Sequence, residues 1–211
     1  MVPSDAAAPF DDPAYLFEPW WPGTRVLAII QGNAVRLQAD QLADMRRAFP
    51  ELDDLPGQIA ASDAVVEGTI LVLDRRARPD TQLLRRRLVG VDAPSRQGRA
   101  AFVATDLLRL GGHRLTRRPF SGRRSRLASL VRPSDWCVVG PGYEGEGQEV
   151  AAAAAELGFT ALSAHRLDAP YTPGRAGDAW LRVPIAPRHV EPHRLPPILA
   201  VLRRLPLDGA S

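Results

Sequence analysis

The sequence predicts an α+β domain with mainly antiparallel sheets. Two observations lead there. Segments with strand character outnumber helical ones, and many are joined by hairpin-type turns. No internal repeat is visible along the chain.

The elements follow in order. Residues 1–15 are rich in Ala, Pro and Asp and read as a flexible leader. Structure is expected to begin at Tyr15-Leu16-Phe17. Arg25–Ile30 is apolar and β-branched, Gln31-Gly32-Asn33 supplies a turn, and Val35–Gln38 alternates with period two, so the three form a hairpin. Asp40–Phe49 has helical spacing, with Leu42, Met45 and Phe49 on one face, Asp40 as N-cap and Pro50 as stop. Ala64–Leu73 is the clearest strand. Asp80–Leu88 reads as a short helix, Phe102–Leu110 as a strand ending at Gly111-Gly112, and Arg123–Val131 as a helix. Trp136–Val139 is a strand, and Cys137 within it reads as a buried structural thiol. Gly140–Gly147 reads as a loop. Its glycines lack a phosphate-loop pattern, and no Lys-Ser/Thr closes it. Gln148–Leu157, with five consecutive alanines, is a strong helix. Phe159–Ala164 and Ala179–Val183 are the last two strands. Residues 186–211 form a proline-rich tail with one short helix at Ile198–Leu205.

Composition narrows the classes. The chain has 211 residues, 45% of them hydrophobic, which suits one medium domain with a core of its own. All 27 Lys+Arg positions are arginine, and the net charge is +3. That charge permits a nucleic-acid partner without requiring one. A single cysteine excludes an internal disulfide and points to a reducing compartment. The start of the chain has no signal-peptide pattern, and its apolar stretches are too short to cross a membrane. A soluble, cytoplasmic protein with no membrane partner is expected. His113, His189 and His193 show no metal spacing with Cys137 or each other, so no metal site is expected.

Six motifs then fall in one register. Glu18-Pro19-Trp20-Trp21-Pro22-Gly23-Thr24-Arg25 is followed by Val66-Glu67-Gly68-Thr69-Ile70 and by Pro79–Leu88 (PDTQLLRRRL). Val103–Gly112 (VATDLLRLGG), Thr160–Tyr171 (TALSAHRLDAPY) and Asp178–Val183 (DAWLRV) complete the set. Together they resemble the adenylation domain of ATP-dependent DNA ligases, whose patterns there are E-P-K-x-D-G-x-R, L-D-G-E-I, P-D-F-Q-x-L-x-x-R-L, V-A-F-D-L-L-x-L-D-G, E-G-V-V-A-K-R-x-x-S-P-Y and D-W-L-K-V-K. The resemblance covers residues 16–185. It implies a nucleotidyltransferase fold of antiparallel sheets and flanking helices around an ATP cleft. In the family an oligonucleotide-binding barrel usually follows, and the 186–211 tail is too short to supply one.

The resemblance also shows where the chemistry departs. The family's lysine attacks the α-phosphate of ATP, and Trp20 occupies its position. An indole N–H has no nucleophilic lone pair, and Arg25 stays protonated. Glu67 is acidic where the family has Asp. Thr69, Thr105 and Thr160 replace a Glu, the adenine-stacking aromatic and the metal-binding Glu, so the donor set does not support Mg²⁺. His165 replaces a phosphate-contacting lysine. Glu18, Gly23, Arg25 and Arg182 match positions that read adenine, form the tight turn, contact ribose and contact phosphate. Glu18, Gly23, Arg25, Glu67, His165 and Arg182 are therefore the candidate nucleotide-binding residues, with ATP or AMP as ligand and no catalytic residue.

Plainer roles compete. Trp20 and Trp21 could pack to fill the cleft, Glu18 and Arg25 could form an ion pair, and His165 could be a structural histidine. The arginine clusters at 75–78, 85–87, 114–118 and 123–126 are either solvated faces or a phosphate-backbone surface for non-specific duplex DNA. Three functions remain open: a silent ligase-like domain in DNA repair, an active ligase or AMP transferase using His165 as nucleophile, and a protein-interaction module with an unnamed partner.

Overall fold

The computed structural model describes residues 1–40, 45–89, 97–174, 176–186 and 197. Its strands in chain order are β1 (Ser4–Asp5), β2 (Asp12–Pro19), β3 (Thr24–Gln31), β4 (Ala34–Gln38), β5 (Asp63–Leu73), β6 (Arg99–Leu110), β7 (His113–Arg114), β8 (Cys137–Val139), β9 (Tyr143–Gly145), β10 (Ala161–Arg166) and β11 (Trp180–Pro184). The helices are α1 (Leu55–Gln58), α2 (Thr81–Val89), α3 (Phe120–Leu130) and α4 (Gly147–Glu156), with 3-10 turns at Pro50–Asp54 and Gly177–Ala179.

The chain divides into two compact units. The first comprises Met1–Trp21, Arg118–Ser121 and Gly140–Ser211; the second comprises Pro22–Arg117 and Gly122–Val139. The first unit is built on a sheet of order β1-β11-β10-β2-β9. β2, β10 and β11 run antiparallel in series, with Ala164 opposite Phe17 and Leu162 opposite Val183. Side chains directly opposite share a face, so Phe17, Leu162, Ala164 and Val183 lie together. All four are fully buried. α4 packs on β2 and β10. Its alanines keep that approach close, and Gly147 permits it, because a Cβ there would meet the Phe17 ring and the Phe10 carbonyl.

The second unit holds a sheet of order β4-β3-β5-β6-β7, with β8 pairing parallel to β6. The β3–β4 hairpin closes through Gly32 at φ +59°, with Gln31 opposite Ala34. β5 is the spine of this sheet, paired along its length with β3 and β6. Its run of β-branched residues suits a strand covered on both sides. Ile30, Leu37, Phe49, Leu52, Leu55, Ile70 and Phe102 are fully buried in this unit's core. Asp80 caps α2, its Oδ1 accepting from the backbone N–H groups of Gln82 and Leu83 at 2.9 Å each.

The mixed α+β architecture with antiparallel sheets agrees with the class read from the sequence. Four local expectations are corrected. The stretch taken as a flexible leader supplies β1 and the start of β2, because Ser4 and Asp5 pair with Leu181 and Arg182 and Phe10 packs edge-on against Tyr15 and Phe17. Within the Gly140–Gly147 loop, Tyr143–Gly145 forms β9 against β2. Of the helix expected over 40–49, residues 41–44 lie outside the described residues, and Met45–Phe49 makes turns instead. The short helix expected at 198–205 also lies outside them.

The fourth correction concerns the arginines. Arg87, Arg123 and Arg124 are buried, not solvated. Arg87 bonds Glu51 at 2.5 Å and the Gly98 carbonyl at 2.6 Å. Arg123 pairs with Asp106, and Arg124 donates to the Ala104 and Thr105 carbonyls. Arginine suits such sites because its fork can satisfy several fixed acceptors at once. Arg75, Arg76, Arg85, Arg86, Arg114, Arg117 and Arg126 stay exposed in the second unit.

Candidate functional site

Three of the candidate side chains, joined by Trp20, come together in the first unit. Glu18 lies on β2 with Trp20 just beyond its end, His165 on β10 and Arg182 on β11. Glu18 stands opposite Ser163, and Ser163 opposite Arg182. In the next row Leu16 stands opposite His165, and His165 opposite Trp180. By strand alternation all of these lie on the face opposite Phe17 and Leu162. The polar residues of the motifs thus share one surface because they are spaced two apart on three adjacent strands.

On that surface the rings form a column. His165 lies between Phe120, 4.5 Å away at 13°, and Trp180, 5.1 Å away at 14°. Trp20 continues the column, stacked 6.0 Å from Trp180, and the Arg182 guanidinium lies 5.7 Å from the Trp20 ring centre. Phe120 is fixed to this unit by backbone bonds from its own N–H to the Ala169 carbonyl and from Ser121 to Leu167.

A polar chain runs beside the rings. Trp180 Nε1 donates to Ser163 Oγ at 2.5 Å, and Ser163 Oγ is 2.9 Å from His165 Nε2. The same Nε2 is 3.4 Å from the Glu18 carboxylate, which is only 2% exposed. A carboxylate this buried is costly without polar or cationic groups close by, and the imidazole edge is one polar group beside it.

The remaining candidates lie in the second unit. Arg25 on β3 is 3.3 Å from the carboxylate of Glu67 on β5. Thr105 Oγ1 donates to the Glu67 carbonyl at 3.2 Å, so the residue at the family's stacking position holds a strand instead. Gly23 allows a close approach, since a Cβ there would collide with the Ile70 carbonyl and the Thr69 side chain. Among the described residues no group of three His, Cys, Asp or Glu side chains is arranged to hold a metal ion.

As arranged, the first unit's polar and aromatic side chains are engaged with one another. Its buried carboxylate faces the imidazole, its rings stack on one another, and its arginine lies over a ring. The sequence reading missed Ser163, Trp180 and Phe120. Ser163 was detectable, being two residues before His165 in a strand, and Trp180 lies two before Arg182. Phe120 carried no signal, because its place depends on a segment distant in sequence.

Fold and surface together define a nucleotidyltransferase-type adenylation domain. The family described as ATP dependent DNA ligase domain matches residues 3–183, and the chain belongs to that family. DNA ligase C1 of Mycolicibacterium smegmatis is 30% identical over 184 residues, covering 83% of this chain and 53% of that protein. The multifunctional non-homologous end joining DNA repair protein LigD of Mycobacterium tuberculosis H37Rv is 29% identical over 168 residues, covering 80% of this chain and 21% of that protein. Among solved structures, a mycobacterial DNA ligase D complexed with ATP and MES matches with a TM-score of 0.71 and 26% identity, over 87% of this chain and 60% of that one. The ligase domain of M. tuberculosis LigD matches with a TM-score of 0.69 and 26% identity, over 86% of this chain and 58% of that one. The chain therefore spans about half of DNA ligase C1 and about a fifth of LigD.

Proposed function

We propose that this chain is a ligase-type adenylation domain that transfers no adenylate and serves DNA repair by binding. One observation carries the reading: Trp20 stands at the motif position of the attacking lysine, in a chain that has no lysine at all. Adenylate transfer through a side-chain amine needs a neutral nitrogen lone pair, which neither indole nor guanidinium offers. The DNA repair context rests on similarity to LigD, named as a DNA repair protein. Mycobacterial DNA ligase D is described with ATP bound. In this chain the matching positions Glu18 and His165 face each other at 3.4 Å, which favours a domain working without the nucleotide.

The exposed arginines of the second unit support duplex DNA as the partner. Arg75, Arg76, Arg85 and Arg86 cluster in sequence on the turn after β5 and on α2. Phosphate contacts of this kind are non-specific and weaken steeply with salt. A second reading makes His165 an atypical nucleophile. Stacking on both ring faces and the contacts at Nε2 weigh against it.

The test is incubation with labelled ATP and Mg²⁺, followed by denaturing separation. No covalent protein–AMP is expected, and an adduct that survives denaturation would overturn the reading. Calorimetry with ATP on the wild type and Arg25→Ala checks the binding half. Saturable binding abolished by Arg25→Ala would restore a nucleotide role.

A further inference from the structure

We infer that His165 is an internal ligand, filling a slot shaped for a planar nitrogen heterocycle and closing this face of the first unit to adenine. The inference rests on the reading of the chain as a non-transferring adenylation domain. Three features of the slot carry it. Phe120 and Trp180 lie nearly parallel to the imidazole, at 4.5 and 5.1 Å. Rings stacked this closely and this nearly parallel to His165 must lie on its two opposite faces, because two of them on one face would overlap. A flat ring held between two aromatic faces is the arrangement a bound heterocycle uses.

The edge of the slot is polar. Glu18 and Ser163 both face Nε2, at 3.4 and 2.9 Å, and Trp180 Nε1 fixes the Ser163 hydroxyl from behind. A carboxylate and a hydroxyl on one edge, with two rings on the faces, are complementary to a heterocycle that presents an N–H. The imidazole stacks on both rings, bonds Ser163 and lies 3.4 Å from Glu18, so it fills the slot in the way an external ring would. Its departure would leave the buried Glu18 carboxylate without the imidazole and uncover the faces of Phe120 and Trp180. The closed state is therefore favoured, and an external ring must bind to whatever small fraction of molecules has His165 displaced. Apparent affinity falls by that fraction.

The slot also explains Trp20. The column continues through Trp180 to Trp20 and Arg182, so the large ring at position 20 extends a packed stack and need not contact a ligand.

The experiment compares the wild type, His165→Gly and His165→Phe, with AMP and imidazole as probes, read by calorimetry and tryptophan fluorescence. His165→Phe keeps a stacked ring without its nitrogens, so it stays closed. His165→Gly is expected to bind AMP at least about tenfold more tightly than either, the gain that follows if fewer than one molecule in ten is open. Millimolar imidazole should compete with that AMP and raise the variant's melting temperature. A folded His165→Gly that binds neither probe overturns the inference, as does a wild type that binds AMP as tightly as the variant. If His165→Gly does not fold, the histidine ring proton resonances of the wild type decide. Two flanking rings place those of His165 well upfield, where they should stay during AMP titration. Their return to ordinary positions as AMP binds overturns the inference. Non-covalent AMP binding by the wild type would remove only the internal ligand, whereas a covalent adduct would remove the proposed function itself.

Discussion

Arg123 on α3 and Asp106 on β6 face each other through two hydrogen bonds of 2.8 and 2.7 Å, with side chains 2% and 5% exposed. The pair ties the helix to the second unit's sheet. Removing one partner leaves the other charge buried without it. Asp106→Ala or Arg123→Ala is therefore expected to lose about 3–5 kcal/mol of stability. Replacing both with apolar residues of similar size should cost less than either single change. Urea denaturation followed by circular dichroism measures all three, and a single variant within about 1 kcal/mol of wild type would contradict the account.

Two glycines should respond with opposite signs. A Cβ on Gly68 would meet the Phe102 ring and the Val103 carbonyl, and a backbone carbonyl cannot swing aside. Gly68→Ala is expected to cost about 1–3 kcal/mol through overpacking. Gly122 in α3 has open space around its Cβ position. Gly122→Ala is expected to gain about 0.4–1 kcal/mol by restricting the unfolded chain. Melting temperatures of the two variants should lie on either side of the wild type.

Restoring the motif lysine alone should not restore chemistry. Trp20→Lys supplies an amine, but Thr69 and Thr160 still stand where the family has carboxylates, and the Glu18–His165 contact is untouched. No adenylate adduct is expected from Trp20→Lys with ATP and Mg²⁺. An adduct would mean that position 20 was the sole block.

Cys137 gives a pH signature. Burial pushes its thiol up from 9.0 to about 12. The fold thus favours the neutral thiol. The stability this contributes is complete below the unfolded value near 9 and is lost as pH rises toward 12. The stability difference between wild type and Cys137→Ala should shrink between pH 9 and 11. At pH 8 a thiol reagent should label Cys137 only after denaturant is added, since the side chain is fully buried. Fast labelling of the native chain would contradict both expectations.

The sequence by itself determined the elements whose residues act locally. β5 was legible in its run of β-branched residues, the β3–β4 hairpin in its Gly-containing turn, α2 in Asp80 and α4 in its alanines. Motif matching also singled out Glu18, His165 and Arg182, while the register between their three strands put them on one sheet face. Only the tertiary structure decided what these side chains do there. Burial of Arg87, Arg123 and Arg124 within runs that read as solvated depended on acceptors 36, 17 and 20 residues away. β1 and β9 became strands only because an edge of the first sheet was open to each, and neither segment has strand character of its own. The column from Phe120 through His165 and Trp180 to Trp20 joins four separate stretches of chain. Stacking and hydrogen bonding act over a few ångströms of space whatever the separation in sequence, so the partners of Glu18 and His165 were fixed by the fold.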